Sequence, residues 1–394
     1  MKVAFPYFGY DTIALKNFIE TLGGEVQLPP PTTERTLSIG TKYSPELICL
    51  PFKITLGNFI EALDNGADTL FMAAGARKCR FGYYHYIQET ILKKIANGLA
   101  PHLSSECVGL EQNGCNEKNK RSSIGAGFKF YPISQYTPFE FIFQKMPEIF
   151  SVKPYRVIYA IYLLLQYSAL VDEFRKLVRR ARVVDFRRAS EIEKRALQVI
   201  EDAKTINQIR NAKKEINALF DFAKKLPENT ITVGLVGEIY LMLEPFANHD
   251  IEKELSKMGV LVVSKRSLYR HIKHLLHIDR DSYKIRRAAH KYLKDSPGGE
   301  AINTVGEARS FINQGVDGII QLFPFTCMPE NIALEALQKM SEDYSVPVLS
   351  LSIDEHTSKT GLLTRLEAFI DILKRVVSQR AGSRTPRSSL LTPR

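Results

Sequence analysis

The residues most able to do chemistry in this 394-residue chain are its five cysteines, Cys49, Cys79, Cys107, Cys115 and Cys327. Cys49 stands before Leu50-Pro51 at the end of a short apolar run. Cys79 lies between Lys78 and Arg80 after a second run, and Cys327 sits in PFTCMPE after a third. The pattern predicts all three at the strand-exit side of their sheets. Cys327 is further expected at the start of a helix, where amide N–H groups and the dipole favour a thiolate. Three soft thiolates meeting at one point suit an iron–sulfur cluster with one iron left open, or a zinc ion with a fourth ligand elsewhere. The plain alternative is that these are free cysteines buried as small apolar side chains. The sequence has no CxxC pair. Cys107 and Cys115, in SECVGLEQNGC, match no compact metal motif and are expected as incidental loop cysteines.

Each remaining candidate also has an ordinary reading. Glu238 follows a strand-like run at VGE, and is either a carboxyl aimed into a cleft or a helix N-terminal charge. Asp354 and Glu355 leave LSLSID in the same way, and Glu330 is a favourable first-turn acid for the helix after Cys327. His85, His249 and His356 are expected as surface or interface residues before they are expected as bases. No GxxxxGK(S/T) phosphate loop occurs, so the chain is not expected to hydrolyse ATP itself. HExxH and GxSxG are also missing.

The elements that must position these residues follow from hydrophobic period. Val3–Pro6, Glu25–Leu28 and Thr69–Met72 read as strands, interleaved with helices at Ile13–Leu22, Lys53–Leu63 and Tyr83–Ile95. Strands alternating with helices of this length predict a parallel sheet covered on both faces. Residues 138–226 then read as helix almost throughout, and EIEKRALQVIEDAKTINQIRNAKKEINALFDFAKKL is amphipathic and rich in helix formers. The alternation resumes from Thr230. Its strands are Thr230–Val236, Val260–Val263, Gly318–Leu322 and Val346–Ser350, and Tyr269–Leu293 is a basic helical stretch among them. The expected organisation is an α/β domain over 1–135, a helical insert over 136–227, a second α/β domain over 228–377 and a disordered basic tail over 378–394. GADTLFMAAGARKC and GVDGIIQLFPFTC share a helix-stopping glycine, an aspartate, a strand and a loop cysteine, and this predicts two related units whose cysteines face one cleft.

Lys and Arg number 54 against 43 Asp and Glu, a formal charge of +11. That excess draws anions, but the basic stretches carry no nucleic-acid-binding signature and are read first as solvated helix faces. The amino terminus resembles a first strand, not a signal peptide, and VIYAIYLLL is too short an apolar run to cross a membrane. A cytoplasmic protein with no membrane or nucleic-acid partner is expected, its cysteines kept as thiols.

Five blocks together resemble a known family. They are CLPFKITLGNFIEALDNGADTLFM, CRFGYYHYIQETIL, VGEIYLMLEPFANHDIEKEL, PFTCMPENIALEAL and SIDEHTSKTGLLTRLEAFID. The family is the 2-hydroxyglutaryl-CoA dehydratase component D-related group, also labelled CoA-substrate-specific enzyme activase-related, and the likeness runs in order to about Val377. The resemblance implies two Rossmann- or flavodoxin-like domains facing a cleft. It implies a 4Fe-4S cluster, with Cys49, Cys79 and Cys327 at the positions of the family cysteines. It also implies electron delivery by a separate ATP-hydrolysing activator protein and radical-based dehydration or reduction of an acyl-CoA substrate. A non-catalytic iron–sulfur or metal-binding component for electron transfer or scaffolding is the competing expectation. Lys78 and Arg80 would then help to hold an anionic cluster or substrate.

Overall fold

The structure is a computed structural model that describes residues 1–75, 78–97, 127–134 and 138–382. Cys107 and Cys115 lie outside the described residues. Eight strands among the described residues form two sheets of four. In the first, β1 (Lys2–Ala4), β2 (Glu25–Val26), β3 (Thr69–Ala74) and β4 (Lys129–Ser134) lie in the order β2-β1-β3-β4. In the second, β5 (Thr232–Gly237), β6 (Leu261–Val263), β7 (Gly318–Pro324) and β8 (Val348–Ile353) lie in the order β6-β5-β7-β8. Every neighbouring pair is parallel. The chain is thus an α/β protein with two parallel sheets.

Parallel sheets require cover on both faces, and the side chains alternate accordingly. On β3, Leu70 and Met72 enter a core with Phe52, Leu56 and Phe59 of the helix Leu50–Asp64, while Phe71 enters a core with the helix Pro154–Val184. On the second sheet Leu235, Ile320 and Leu322 face one core and Val236 and Ile319 the other. Leu37, Leu50 and Ile54 of the first half belong to the same core as β5 and β7, so the halves share buried apolar surface.

The repeated glycine–aspartate–strand unit takes the same place in both sheets. Gly66 and Gly315 end their helices at φ +91 and +80. Asp68 accepts the Lys2 N–H at 2.9 Å, and Asp317 accepts the Thr232 N–H at 2.8 Å. In each case a carboxylate before the third strand of the spatial order ties down the start of its central neighbour.

Between the sheets in sequence runs a helical segment built on Pro154–Val184, Phe186–Asp202 and Ile206–Leu219. The helix Pro154–Val184 is, by length and composition, apolar enough to cross a membrane, and half of that window is buried in the protein. Its inner face also carries Arg175, Arg179 and Arg182, paired with Asp11, Glu252 and Glu193 on other elements.

Four local readings change. The run ending at Cys49 is not a strand, because Pro51 lies in the first turn of the helix Leu50–Asp64, where its missing N–H costs nothing. A helix precedes that run, Glu34–Tyr43, capped by Thr33. β4 was hidden by Pro132, which is tolerated because β4, among the described residues, is an edge strand paired with β3. The last helix, Lys359–Gly382, extends into the stretch 378–394 expected as a disordered tail.

Candidate functional site

Reversal of strand order in an open parallel sheet leaves a crevice at the carboxyl ends of the central strands. Here two such crevices meet. Phe5 and Pro6 after β1, Gly75 after β3, Glu238 after β5 and Pro324 at the end of β7 line one cavity of about 340 Å³.

Cys49, Cys79 and Cys327 all line it. Each occupies the N-cap position of a helix: Cys49 before Leu50–Asp64, Cys79 before the 3-10 turn Arg80–Tyr83, and Cys327 before Met328–Tyr344. The contacts cross between the halves. The Cys49 thiol lies 3.9 Å from the carbonyl oxygen of Thr326, next to Cys327. Gly299, in SPGGE, has φ +50, and a Cβ there would stand 3.1 Å from Pro329 and 3.8 Å from the Cys79 sulfur. The loop can pass this closely between two cysteine-bearing turns because glycine adopts that backbone without strain.

Burial pushes the Cys79 thiol up, with the Phe81 N–H pulling the other way. Burial pushes Cys327 up much further, with the negative charge of Glu330 adding to it and the Glu330 N–H opposing it. Burial thus works against the expected helix-start thiolate at Cys327, and the N–H donation works for it. Tyr84, wholly buried, bonds to Cys49 and is raised well above the usual tyrosine range by burial first.

Carboxyls surround the thiols. Glu238 caps the helix Ile239–Leu243, accepting the Leu241 N–H at 3.0 Å, and also faces the cavity, so both of its readings hold. Burial lifts it to about 7. Glu330 is likewise lifted by burial to about 7 although Gln321 and Thr304 donate to it at 3.0 and 2.8 Å. Burial also opposes the charge on Glu300, but Arg266 and His271 outweigh it and hold the carboxyl at about 2. Arg266, paired with Glu300 and 3.2 Å from Glu307, donates to Thr304 at 3.1 Å. A buried chain of hydrogen bonds thus runs from Arg266 through Thr304 to Glu330, beside Cys327. Sequence reasoning missed Arg266, Thr304, Glu307 and the Gly298-Gly299-Glu300 turn. The paired glycines before an acid were the available signal.

The other candidates fall elsewhere. His85, His249 and His356 do not line the cavity. Glu355 pairs with Lys53 across the two halves. Asp354 holds Thr357 at 2.7 Å in its own turn. Lys78 reaches the Ser296 carbonyl at 3.4 Å and Arg80 the Leu47 carbonyl, both side chains being exposed.

Among the described residues no three His, Cys, Asp or Glu side chains gather closely enough to hold a single metal ion. The three cysteines therefore share a cavity without forming such a group among the described residues.

Fold and site together define a protein of two parallel α/β sheets that share one thiol-lined cavity. The family model of 2-hydroxyglutaryl-CoA dehydratase, D-component, matches residues 164–373, and the chain belongs to that family. The match takes in the second sheet and Cys327; the blocks around Cys49 and Cys79 lie before it. No curated protein matches the chain.

Proposed function

We propose that this protein is an iron–sulfur redox protein that dehydrates or reduces an acyl-CoA, driven by a partner ATPase. The observation that carries the reading is that Cys49, Cys79 and Cys327, from both halves of the fold, line one cavity together with a protonatable carboxyl, Glu238. The three thiols would hold a 4Fe-4S cluster, their ligation number leaving one iron without a cysteine. When bound, such a cluster supplies a single electron of low potential. The helix N-termini at the three cysteines favour the anionic ligand set, and the buried surroundings tune the cluster's potential.

Loss of water from a 2-hydroxyacyl-CoA breaks a C–O and a C–H bond; the leaving oxygen gains one proton and the carbon gives one up. Glu238, about half protonated near neutrality, can give the first proton and its carboxylate can take the second. The apolar lining excludes bulk water from this exchange. ATP must act on another chain, since no phosphate-binding loop is present. Its hydrolysis there would drive the electron to the site.

Anaerobic reconstitution with iron and sulfide tests the ligand set. Wild type should take up about four irons per chain and give an electron paramagnetic resonance signal on reduction. Alanine at Cys49, Cys79 or Cys327 should lower the iron content, while alanine at Cys107 or Cys115 should not. Unchanged iron and spectrum in Cys327→Ala would remove that ligand. A loaded protein that turns over no acyl-CoA with activator, ATP and reductant would support the electron-transfer component instead.

A further inference from the structure

Beside the thiols and carboxyls, the cavity has an apolar arm. Leu15 of the helix Asp11–Thr21, Phe141 and Ile142 of a π-helical turn, Ile161 and Leu164 of the helix Pro154–Val184, and Leu276 after the helix Leu268–Leu275 line it. These elements belong to no other part of the proposed chemistry, yet they form one continuous space with Cys49, Cys79, Cys327 and Glu238.

Among the described residues the carboxyls on the walls outnumber any basic group. Asp11, Glu238, Glu300 and Glu330 line the cavity, and among the described residues no lysine or arginine does. Asp11 is occupied by Arg175 at 2.7 Å, and Glu300 by Arg266. His271 also lines the cavity; burial lowers it, while the Glu300 carboxylate pulls the other way. A second carboxylate on the acyl group would meet no lysine or arginine among the described residues of the lining, which is strongly unfavourable. A hydrocarbon chain would gain the full benefit of leaving water.

We propose that the arm seats an apolar acyl chain, and that dicarboxylic acyl groups such as glutaryl are rejected. The assignment of the head group as a CoA thioester rests on the proposed function; the choice of an apolar tail rests on the walls of the cavity. It runs against the substrate in the family's name.

The test is calorimetric titration of the full chain with butanoyl-, hexanoyl-, octanoyl-, decanoyl- and glutaryl-CoA, none of which carries the hydroxyl group needed for dehydration. Affinity should rise about fourfold per added methylene up to the length that fills the arm. Glutaryl-CoA should bind at least about a hundredfold more weakly than octanoyl-CoA, counting lost methylenes and an unpaired charge. Ile161→Trp, which fills the arm, should abolish the chain-length gain, and Ile161→Val, which widens it, should shift the best length upward. Equal affinity across the lengths, or glutaryl-CoA bound as tightly as hexanoyl-CoA, would overturn the proposal. Free octanoate and decanoate separate it from the parent reading. If they reproduce the chain-length gain while CoA adds nothing, the apolar arm stands and the acyl-CoA assignment falls. If reconstitution yields no cluster but the gain persists, the arm stands and the redox reading falls.

Discussion

A carboxyl group with its pKa near 7 can both give and accept a proton under ordinary conditions, and Glu238 is such a group beside three thiols. Its elevation comes from burial, with N–H donation from Leu241 and Tyr240 opposing it. Replacement by glutamine keeps the cap geometry and the size but removes the proton. Turnover of an acyl-CoA by the loaded protein should fall by about 10²–10⁴-fold in Glu238→Gln, the usual worth of a positioned acid–base group. The limb of the pH–rate profile centred near pH 7 in wild type, falling as Glu238 ionises, should disappear in the variant. Iron content equal to that of wild type would show that the loss lies in proton transfer. A variant with unchanged rate and profile would exclude Glu238 from the chemistry.

Among the elements, the helix Pro154–Val184 decides how the halves are joined. Its amino-terminal part is apolar on several sides, whereas Arg175, Arg179 and Arg182 are buried and paired with acids that other elements supply. Arg175 and Asp11 are both almost fully buried, 2.7 Å apart. Removing one partner leaves a charge without compensation, so Arg175→Leu should destabilise the protein by about 3–5 kcal/mol. Changing both, Arg175→Leu with Asp11→Leu, should recover most of that loss, because an apolar pair replaces an ion pair at small net cost. Urea unfolding of the two variants is the check; a double variant no more stable than the single one would mean that the pair itself sets the helix in place.

For the whole molecule, the contact of the two halves carries a pH dependence. The Gly9 N–H after β1 donates to the Glu244 carboxylate at 2.8 Å, across the junction. Burial lifts Glu244 to about 7, against donation from Gly9 and Phe246. A carboxyl raised above its unfolded value of 4.5 holds its proton more tightly when folded. Its contribution is therefore fully present below about pH 4.5 and is lost as pH rises through about 7. The interval corresponds to on the order of 3 kcal/mol at most, at about 1.4 kcal/mol per unit. Glu238 and Glu330, also at about 7, act in the same direction. Unfolding free energy should accordingly decline between pH 4.5 and 7, and Glu244→Gln should flatten part of that decline. An identical slope in the variant would place the carboxyl's pKa in the folded protein near its unfolded value.

Local order was written plainly along the chain. Alternating apolar strands and periodic helices predicted two parallel-sheet units, and the Gly66–Asp68 and Gly315–Asp317 repeats marked equivalent strands because each aspartate performs the same backbone tie. Cys49, Cys79 and Cys327 stood out because each ends an apolar run before a helix, although the run at Cys49 proved to lead into a proline-started helix. Helix capping and strand burial act over a few residues, so sequence period registers them. The common cavity, the raised pKa of Glu238 and the Arg266–Thr304–Glu330 chain depend on groups far apart in sequence, and desolvation comes from whatever the fold brings near. Only packing of one half against the other brings the apolar lining together with the cysteines. That is why the cysteines stood out from residue types and spacing, whereas the cavity they share was decided by the tertiary structure.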